Sequence, residues 1–259
     1  PLEGRLLKAL TMAGWNHRHA PVFIQSFEQG NLKELSKLTR VRLVQLVDAN
    51  DVNPDGSLDF TAPYDRPYDW TVSGKPELLA RTFAWLTTDE GLKEVASYAH
   101  GIGPWKRYIV STVANPEGSG PGEAKLKLAE PTDLIERAHA AGLKVHTWTF
   151  RDEQRRLPGD YAGNPVNEYL QFYALGIDGV FSDFPDTAVV ARELTKKFEE
   201  FRRGALGDLA QDYADKTVKG EIVLVIGPPA PDAAPDAADV DSLLAELSAT
   251  MPTAKAATE

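Results

Sequence analysis

Residues 142–151 read GLKVHTWTFR and residues 175–186 read LGIDGVFSDFPD. In each, a glycine closes a helix and a short apolar run follows at once. The pattern predicts two buried strands, Val145–Phe150 and Val180–Ser182. Each is led in by a helix, one starting at Pro131 or Thr132 and running to Ala141, the other over Glu168–Leu175. Helix-then-strand units set neighbouring strands parallel and leave the helices outside. The stretch therefore reads as the last two strands of a closed parallel barrel.

The same alternation extends towards the N-terminus. Val22–Ser26 (VFIQS) is a short strand. Val41–Val47 (VRLVQLV) is so continuously apolar that both of its faces must be covered. Gly101–Pro104 is a further short strand, with Lys106–Val113 a candidate extension. Helices are expected over Arg5–Ala13, over Leu32–Leu38 with Asn31 as cap, and over Thr88–Ala99 with Thr87 or Thr88 as cap. Asp48–Gly74 contains the turn signal NPDGS, has no sustained period, and reads as a loop too long to be a plain connector. About five strands precede residue 187, whereas a barrel of this kind needs eight.

Beyond residue 187 the character changes. Ala188–Phe201 reads as one long charged helix and Leu206–Tyr213 as another. Gly220–Gly227 (GEIVLVIG) reads as an isolated strand with an exposed apolar edge. The following PPAPDAAPDAADVD is a Pro/Ala/Asp linker. Val240, Leu243, Leu244 and Leu247 then share one face of a tail helix. These shifts divide the chain into residues 1–190, 191–229 and 230–259.

Composition narrows the functions. The chain has 259 residues, 42% of them hydrophobic, enough for one sizeable core. Its net charge of −10 disfavours nonspecific attraction of nucleic acid or an anionic membrane to the whole surface. With no cysteine, disulfides, thiolate metal sites and a cysteine nucleophile are excluded. No apolar run approaches the roughly 18 residues of a spanning helix. The start, Pro1-Leu2-Glu3-Gly4, leads straight into helix-like sequence and reads as the C-terminal part of something longer.

Residues about 5–190 resemble the glycerophosphodiester phosphodiesterase family in its long bacterial form. The resemblance is carried by VFIQSFE (22–28), RLVQLVD (42–48), SYAHGIGPWK (97–106), HAAGLKVHTWTFR (139–151) and GIDGVFSDFPD (176–186). It implies an α/β fold, here an incomplete (β/α)8 TIM barrel holding strands four to eight, with a C-terminal helix-helix-strand appendage. It also implies hydrolysis of glycerophosphodiesters to glycerol 3-phosphate and an alcohol, assisted by a divalent metal, calcium or magnesium. The family's markers for that chemistry are an opening His-Arg-Gly, a Glu-x-Asp, a His-Asp pair and a Glu in a Pro-Glu-Ile-Lys-like strand. None occurs in this chain, so no catalytic residue and no metal ligand is assigned and the chain alone is expected to be inactive.

The five histidines, His17, His19, His100, His139 and His146, fall in an outer helix or before and early in strands, away from the catalytic end of a barrel. The strand-end carboxylates Glu28, Asp48, Asp183 and Asp186 have no recognisable ligand spacing and read as caps and turn-makers. What the resemblance does transfer is part of a substrate wall: Gln25, Lys106, Trp148 and Phe150, with Lys106 and also Arg151 placed to face a phosphate. Packing inside the barrel competes with that reading for Trp148 and Phe150, and a solvated charge competes with it for Lys106 and Arg151.

Residues 192–229, RELTKKFEEFRRGALGDLAQDYADKTVKGEIVLVIGPP, are similar to the C-terminal part of the 16S rRNA cytidine 2′-O-methyltransferase of the tetrapyrrole-methylase fold. That family uses S-adenosylmethionine through N-terminal motifs absent here. Lys196, Lys197, Arg202 and Arg203 form a basic cluster of the kind that meets RNA phosphates, but the interleaved Glu193, Glu199 and Glu200 favour a solvated, self-paired helix, so a nucleic-acid partner is not expected. A small glycerophosphodiester is the expected ligand, and pairing through open sheet edges is the expected protein contact. Compartment stays open: periplasmic by the first resemblance, cytoplasmic if the tail decides.

Overall fold

The computed structural model describes residues 2–184 and, beyond them, three strands. Two units are separable, 1–183 and 184–259. In the first, α1 (Leu2–Met12) precedes β1 (Phe23–Ser26), α2 (Gln29–Leu38) and β2 (Arg42–Val47). A small antiparallel hairpin, β3 (Asp51–Val52) with β4 (Leu58–Asp59), and two short helices, α3 (Tyr68–Ser73) and α4 (Pro76–Leu79), follow. Next come α5 (Asp89–Ala96), β5 (Gly101–Pro104) and a second antiparallel hairpin, β6 (Thr112–Ala114) with β7 (Leu126–Leu128). The unit ends with α6 (Leu134–Ala140), β8 (Lys144–Phe150), α7 (Pro165–Ala174) and β9 (Gly179–Ser182). Gly142 and Gly176, which close α6 and α7, stand at φ 82° and 95°, a region open to glycine at no steric cost.

The main sheet is parallel throughout, in the order β1-β2-β5-β8-β9. It is a curled five-stranded half-barrel, the incomplete (β/α)8 architecture expected. Its convex face carries Leu43, Val47, Ile102 and Val145, each 1% exposed or less. The helices cover that face with residues at three- and four-residue spacing: Leu32 and Leu35 of α2, Leu92 and Val95 of α5, Leu134 and Ala138 of α6, Tyr169 and Phe172 of α7. Burial of such apolar surface stabilises by about 25 cal/mol per Å².

The buried polar groups on this side are paired. Gln45 of β2, fully buried, donates to the carbonyls of Phe27 (2.9 Å) and Leu46 (3.0 Å) and accepts the Tyr98 hydroxyl at 2.8 Å. Gln29 donates to the Tyr98 oxygen at 3.4 Å and accepts the Trp70 indole N–H at 3.2 Å. The chain of bonds ties β2, α2, α3 and the end of α5 into one unit, and burial raises the Tyr98 pKa. A second device is a pair of exchanged caps. Glu28, just before α2, accepts the Asp69 and Tyr68 N–H groups that open α3 (2.6 and 3.3 Å), while Asp69 of α3 accepts the Gly30 N–H that opens α2 (2.5 Å). Each carboxylate satisfies donors that its neighbour's helix leaves open.

The concave face is lined by Phe23, Arg42, Val44, Leu46, His146, Trp148 and Phe181. Strands pack about 4.8 Å apart, so a flat sheet would hold β1 and β8 about 14 Å apart. Instead the Phe23 and His146 rings meet edge to face at 4.6 Å and Phe27 meets Trp148 at 5.8 Å. The curl lets the half-barrel fill much of its own interior. Gly179 makes room for it: a Cβ there would lie 2.9 Å from the His146 ring.

Burial first, then the Arg42 and Lys144 charges, lower the His146 pKa, with Asp178 opposing. Protonation therefore favours the unfolded chain. Stability from this ring is complete above its unfolded pKa of about 6.5 and is lost as pH falls through the lower folded value. Urea unfolding at pH 7.5 and 5.0 should show a larger acid loss for the wild type than for His146→Phe. An equal loss in both would remove His146 from the account.

In the second unit, β10 (Val189–Arg192) lies between β11 (Glu200–Arg203) and β12 (Ile222–Val225) in an antiparallel sheet, Val189 opposite Arg203 and Val225, and Val190 opposite Arg202 and Leu224. This corrects two expectations. Ala188–Phe201 is not one helix, and GEIVLVIG has a partner. Valine and isoleucine favour strands, and Val189-Val190 and Ile222–Val225 pair in register. The expected helices at Leu206–Tyr213 and Val240–Leu247 and the linker fall outside the described residues.

Candidate substrate site at the C-terminal strand ends

The five parallel strands deliver Phe27-Glu28, Asp48, Trp105-Lys106, Arg151 and Asp183 to one end of the sheet. In parallel α/β folds this is the end that binds ligands. Trp148, half-buried on the concave face, reaches this end with its ring edge to face with Phe27; its indole N–H is spent on the Gly103 carbonyl at 2.7 Å. Phe27 also meets Phe83 at 6.1 Å. Trp148 and Phe27 thus form an apolar wall.

Gln25 is exposed on β1, opposite Val44 in register, and lines a cleft of about 700 Å³ along the β1 edge with Leu6, Glu28 and Tyr68. Lys106 departs from expectation. It is 3% exposed, and its ammonium lies 2.8 and 2.9 Å from the two carboxylate oxygens of Glu168 on α7. Burial pushes the Lys106 pKa down and that of Glu168 up, each opposed by its partner's charge. A phosphate would have to displace Glu168, so the role of facing a phosphate is withdrawn from Lys106.

Phe150 is corrected in the same sense. It is fully buried, stacked on Tyr169 at 4.6 Å and edge-on to Phe172 at 5.3 Å. A register irregularity between Thr147 and Phe150 breaks the alternation that would have kept it beside Trp148. It packs under α7 rather than lining the substrate side. Arg151 is not a solvated charge. Its guanidinium is held by both oxygens of Glu153 (3.0 and 2.6 Å) and by Asp183 at 2.5 Å. The Arg151 bond brings Glu153 down to about 2.

Of the strand-end carboxylates, Asp48 and Glu28 are half-buried and both have raised pKa values. For Asp48 burial is the cause, opposed by the Ala49 N–H; for Glu28 it is burial, partly offset by the Asp69 N–H and reinforced by the Asp69 charge. Their bonds to Ala49, Tyr68 and Asp69 match the capping and turn-making roles read from sequence. Asp186 lies outside the described residues. His139 and Lys144 bond Asp178 at 2.8 and 2.6 Å, at the end of the sheet where β8 and β9 begin.

A resident divalent cation does not fit this arrangement. Among the described residues no group of three or more His, Asp or Glu side chains converges in a way that could hold one. No helix among them is long and apolar enough to cross a membrane. What the site can do is present an aromatic wall beside carboxylates and a neutralised arginine.

A parallel helix-covered half-barrel with its polar residues gathered at the C-terminal strand ends defines a protein built on part of a (β/α)8 barrel. The model of the glycerophosphoryl diester phosphodiesterase family matches residues 4–187, and the chain belongs to that family. It is 32% identical over 165 residues to the glycerophosphodiester phosphodiesterase GDPD6 of Arabidopsis thaliana, covering 63% of this chain and 36% of that one. It is 28% identical over 193 residues to the glycerophosphodiester phosphodiesterase of Haemophilus influenzae, covering 71% of this chain and 45% of that one. A segment of the chain is also similar to the ribosomal RNA small subunit methyltransferase I of Mesorhizobium japonicum, 53% identical over 73 residues, 28% of this chain and 24% of that protein. The chain thus spans less than half the length of each of these relatives.

Proposed function

We propose that this chain supplies the substrate-side wall of a glycerophosphodiester phosphodiesterase barrel and does not turn substrate over by itself. The reaction to which it contributes is hydrolysis of a glycerophosphodiester to glycerol 3-phosphate and an alcohol. The observation that carries the reading is the pairing of Phe27 with Trp148 at the C-terminal strand ends of a family barrel, without a converging histidine or carboxylate set among the described residues. Metal-assisted hydrolysis requires clustered oxygen ligands and a placed proton carrier. Here the carboxylates and the arginine are committed to one another or to backbone N–H groups. Incubation with glycerophosphocholine and calcium or magnesium should release no more choline than a metal-free blank. Release above the blank would overturn the inactivity.

Partner dependence follows from the sheet edge. Among the described residues β1 pairs only with β2, and beside that edge Leu2, Phe23 and Val72 are 78%, 39% and 62% exposed. Unpaired strand edges flanked by apolar side chains attract further strands. In light scattering coupled to size exclusion, the chain should run as a concentration-dependent oligomer. A monodisperse monomer that melts cooperatively would contradict this.

The methyltransferase likeness gives a second reading, RNA 2′-O-methylation with S-adenosylmethionine, carried only by the short segment of high identity. No calorimetric binding of S-adenosylmethionine is expected.

A further inference from the structure

In a parallel sheet the residues that lead into each strand gather at one end, opposite the strand C-termini. β1, β2 and β5 are consecutive in the sheet. Their lead-ins are WNHRHAPV (15–22), LTRVR (38–42) and ASYAHG (96–101). These segments carry His17, Arg18, His19, Arg40, Arg42 and His100 without one Asp or Glu, in a chain of net charge −10. Local charge of this sign is the opposite of the molecule's.

Hydrogen bonds lock the three segments together and still leave donors unused. Arg42 donates from one terminal nitrogen to the Ala20 carbonyl at 2.8 Å and lies over the Phe23 ring at 4.1 Å. Its Nε is buried with no hydrogen-bond partner, a costly state for a donor. His100 accepts the Leu43 N–H on Nδ1 at 3.2 Å, while its own backbone N–H donates to the Leu43 carbonyl at 2.8 Å. His17 accepts the His19 N–H on Nδ1 at 3.2 Å. With Nδ1 accepting, each neutral ring carries its proton on Nε2. Both rings are therefore donors whether or not they are protonated. Burial, then the Arg18 and Arg42 charges, hold the His100 pKa down.

We propose that His17, Arg18, Arg42 and His100 form a binding site for a phosphate group. Guanidinium and ring N–H donors from three adjacent segments suit an anion with several acceptor oxygens. An anion there also relieves the repulsion among the cations. The phosphate can be a free ion or the headgroup of an anionic lipid, and the shared chemistry is the same.

The test uses the whole chain. Inorganic phosphate is titrated by calorimetry at low salt into wild type, Arg18→Ser and Arg42→Gln. Co-sedimentation with phosphatidylglycerol vesicles, against phosphatidylcholine vesicles, identifies the source. Arg18 is exposed, so Arg18→Ser leaves the fold intact, which an unchanged melt verifies. The expected result is saturable phosphate binding, weakened on the order of tenfold in both variants. Sedimentation with phosphatidylglycerol that free phosphate competes away supports a headgroup; phosphate binding without sedimentation supports the free ion. No phosphate binding, equal binding by Arg18→Ser, or vesicle binding that phosphate does not displace would overturn the proposal.

Discussion

Lys106→Met is expected to destabilise the chain by about 3–5 kcal/mol, read as a fall in the urea midpoint at constant slope. The substitution removes the only described cation bonded to the Glu168 carboxylate, which is itself fully buried. The carboxylate must then stay charged without a partner or take up a proton at a cost. Either outcome consumes a large part of the roughly 5–15 kcal/mol that holds a domain together. Lys106→Met combined with Glu168→Leu should recover most of the loss, because an apolar pair of similar volume avoids desolvating two charges. If Lys106→Met cost less than about 1 kcal/mol, as surface ion pairs do, the burial of this pair would be refuted. The double variant separates a lost charge partner from lost packing over Phe150, which the ammonium approaches at 5.6 Å.

Phe150→Ala is expected to cost a similar amount, about 3–5 kcal/mol. The side chain is fully buried, and its loss opens a void between β8 and α7 beside Tyr169 and Phe172. Phe150→Leu should recover about half. The comparison with Trp148→Ala is informative. Trp148 is half-buried on the concave face, so its removal should cost less stability and more ligand contact. If Trp148→Ala were the more destabilising of the two, the assignment of Phe150 to the helix side and Trp148 to the substrate side would be reversed.

The parallel strands were legible because each is short, apolar and covered on its convex face, so VRLVQLV and VHTWTF read as buried without knowing their neighbours. The helices were legible from glycine stops and three- and four-residue spacing, although α2 begins at Gln29 rather than after Asn31. The two hairpins inside the loops were not, because strands of two or three residues leave no period to read. Ala188–Phe201 misled because Lys and Glu at helical spacing outweigh two valines in a local reading, while one set of partners of those valines lies more than thirty positions on, at Leu224 and Val225.

The candidate site divides in the same way. Trp148 meets Phe27 edge to face at the strand ends. Lys106 and Phe150 instead meet Glu168 and Tyr169, which are far from them in sequence and face them only after α7 folds back on β8. The exchanged caps of Glu28 and Asp69, 41 positions apart, had no signal beyond the residue types themselves.

Phosphorus NMR of glycerophosphocholine with the chain and calcium distinguishes a barrel wall that binds without hydrolysing from an active enzyme. The phosphodiester resonance is expected to broaden with added chain, to broaden less with Trp148→Ala, and to persist without a phosphomonoester signal. A phosphomonoester resonance that grows with time, or a diester line unaffected by the chain, would contradict it.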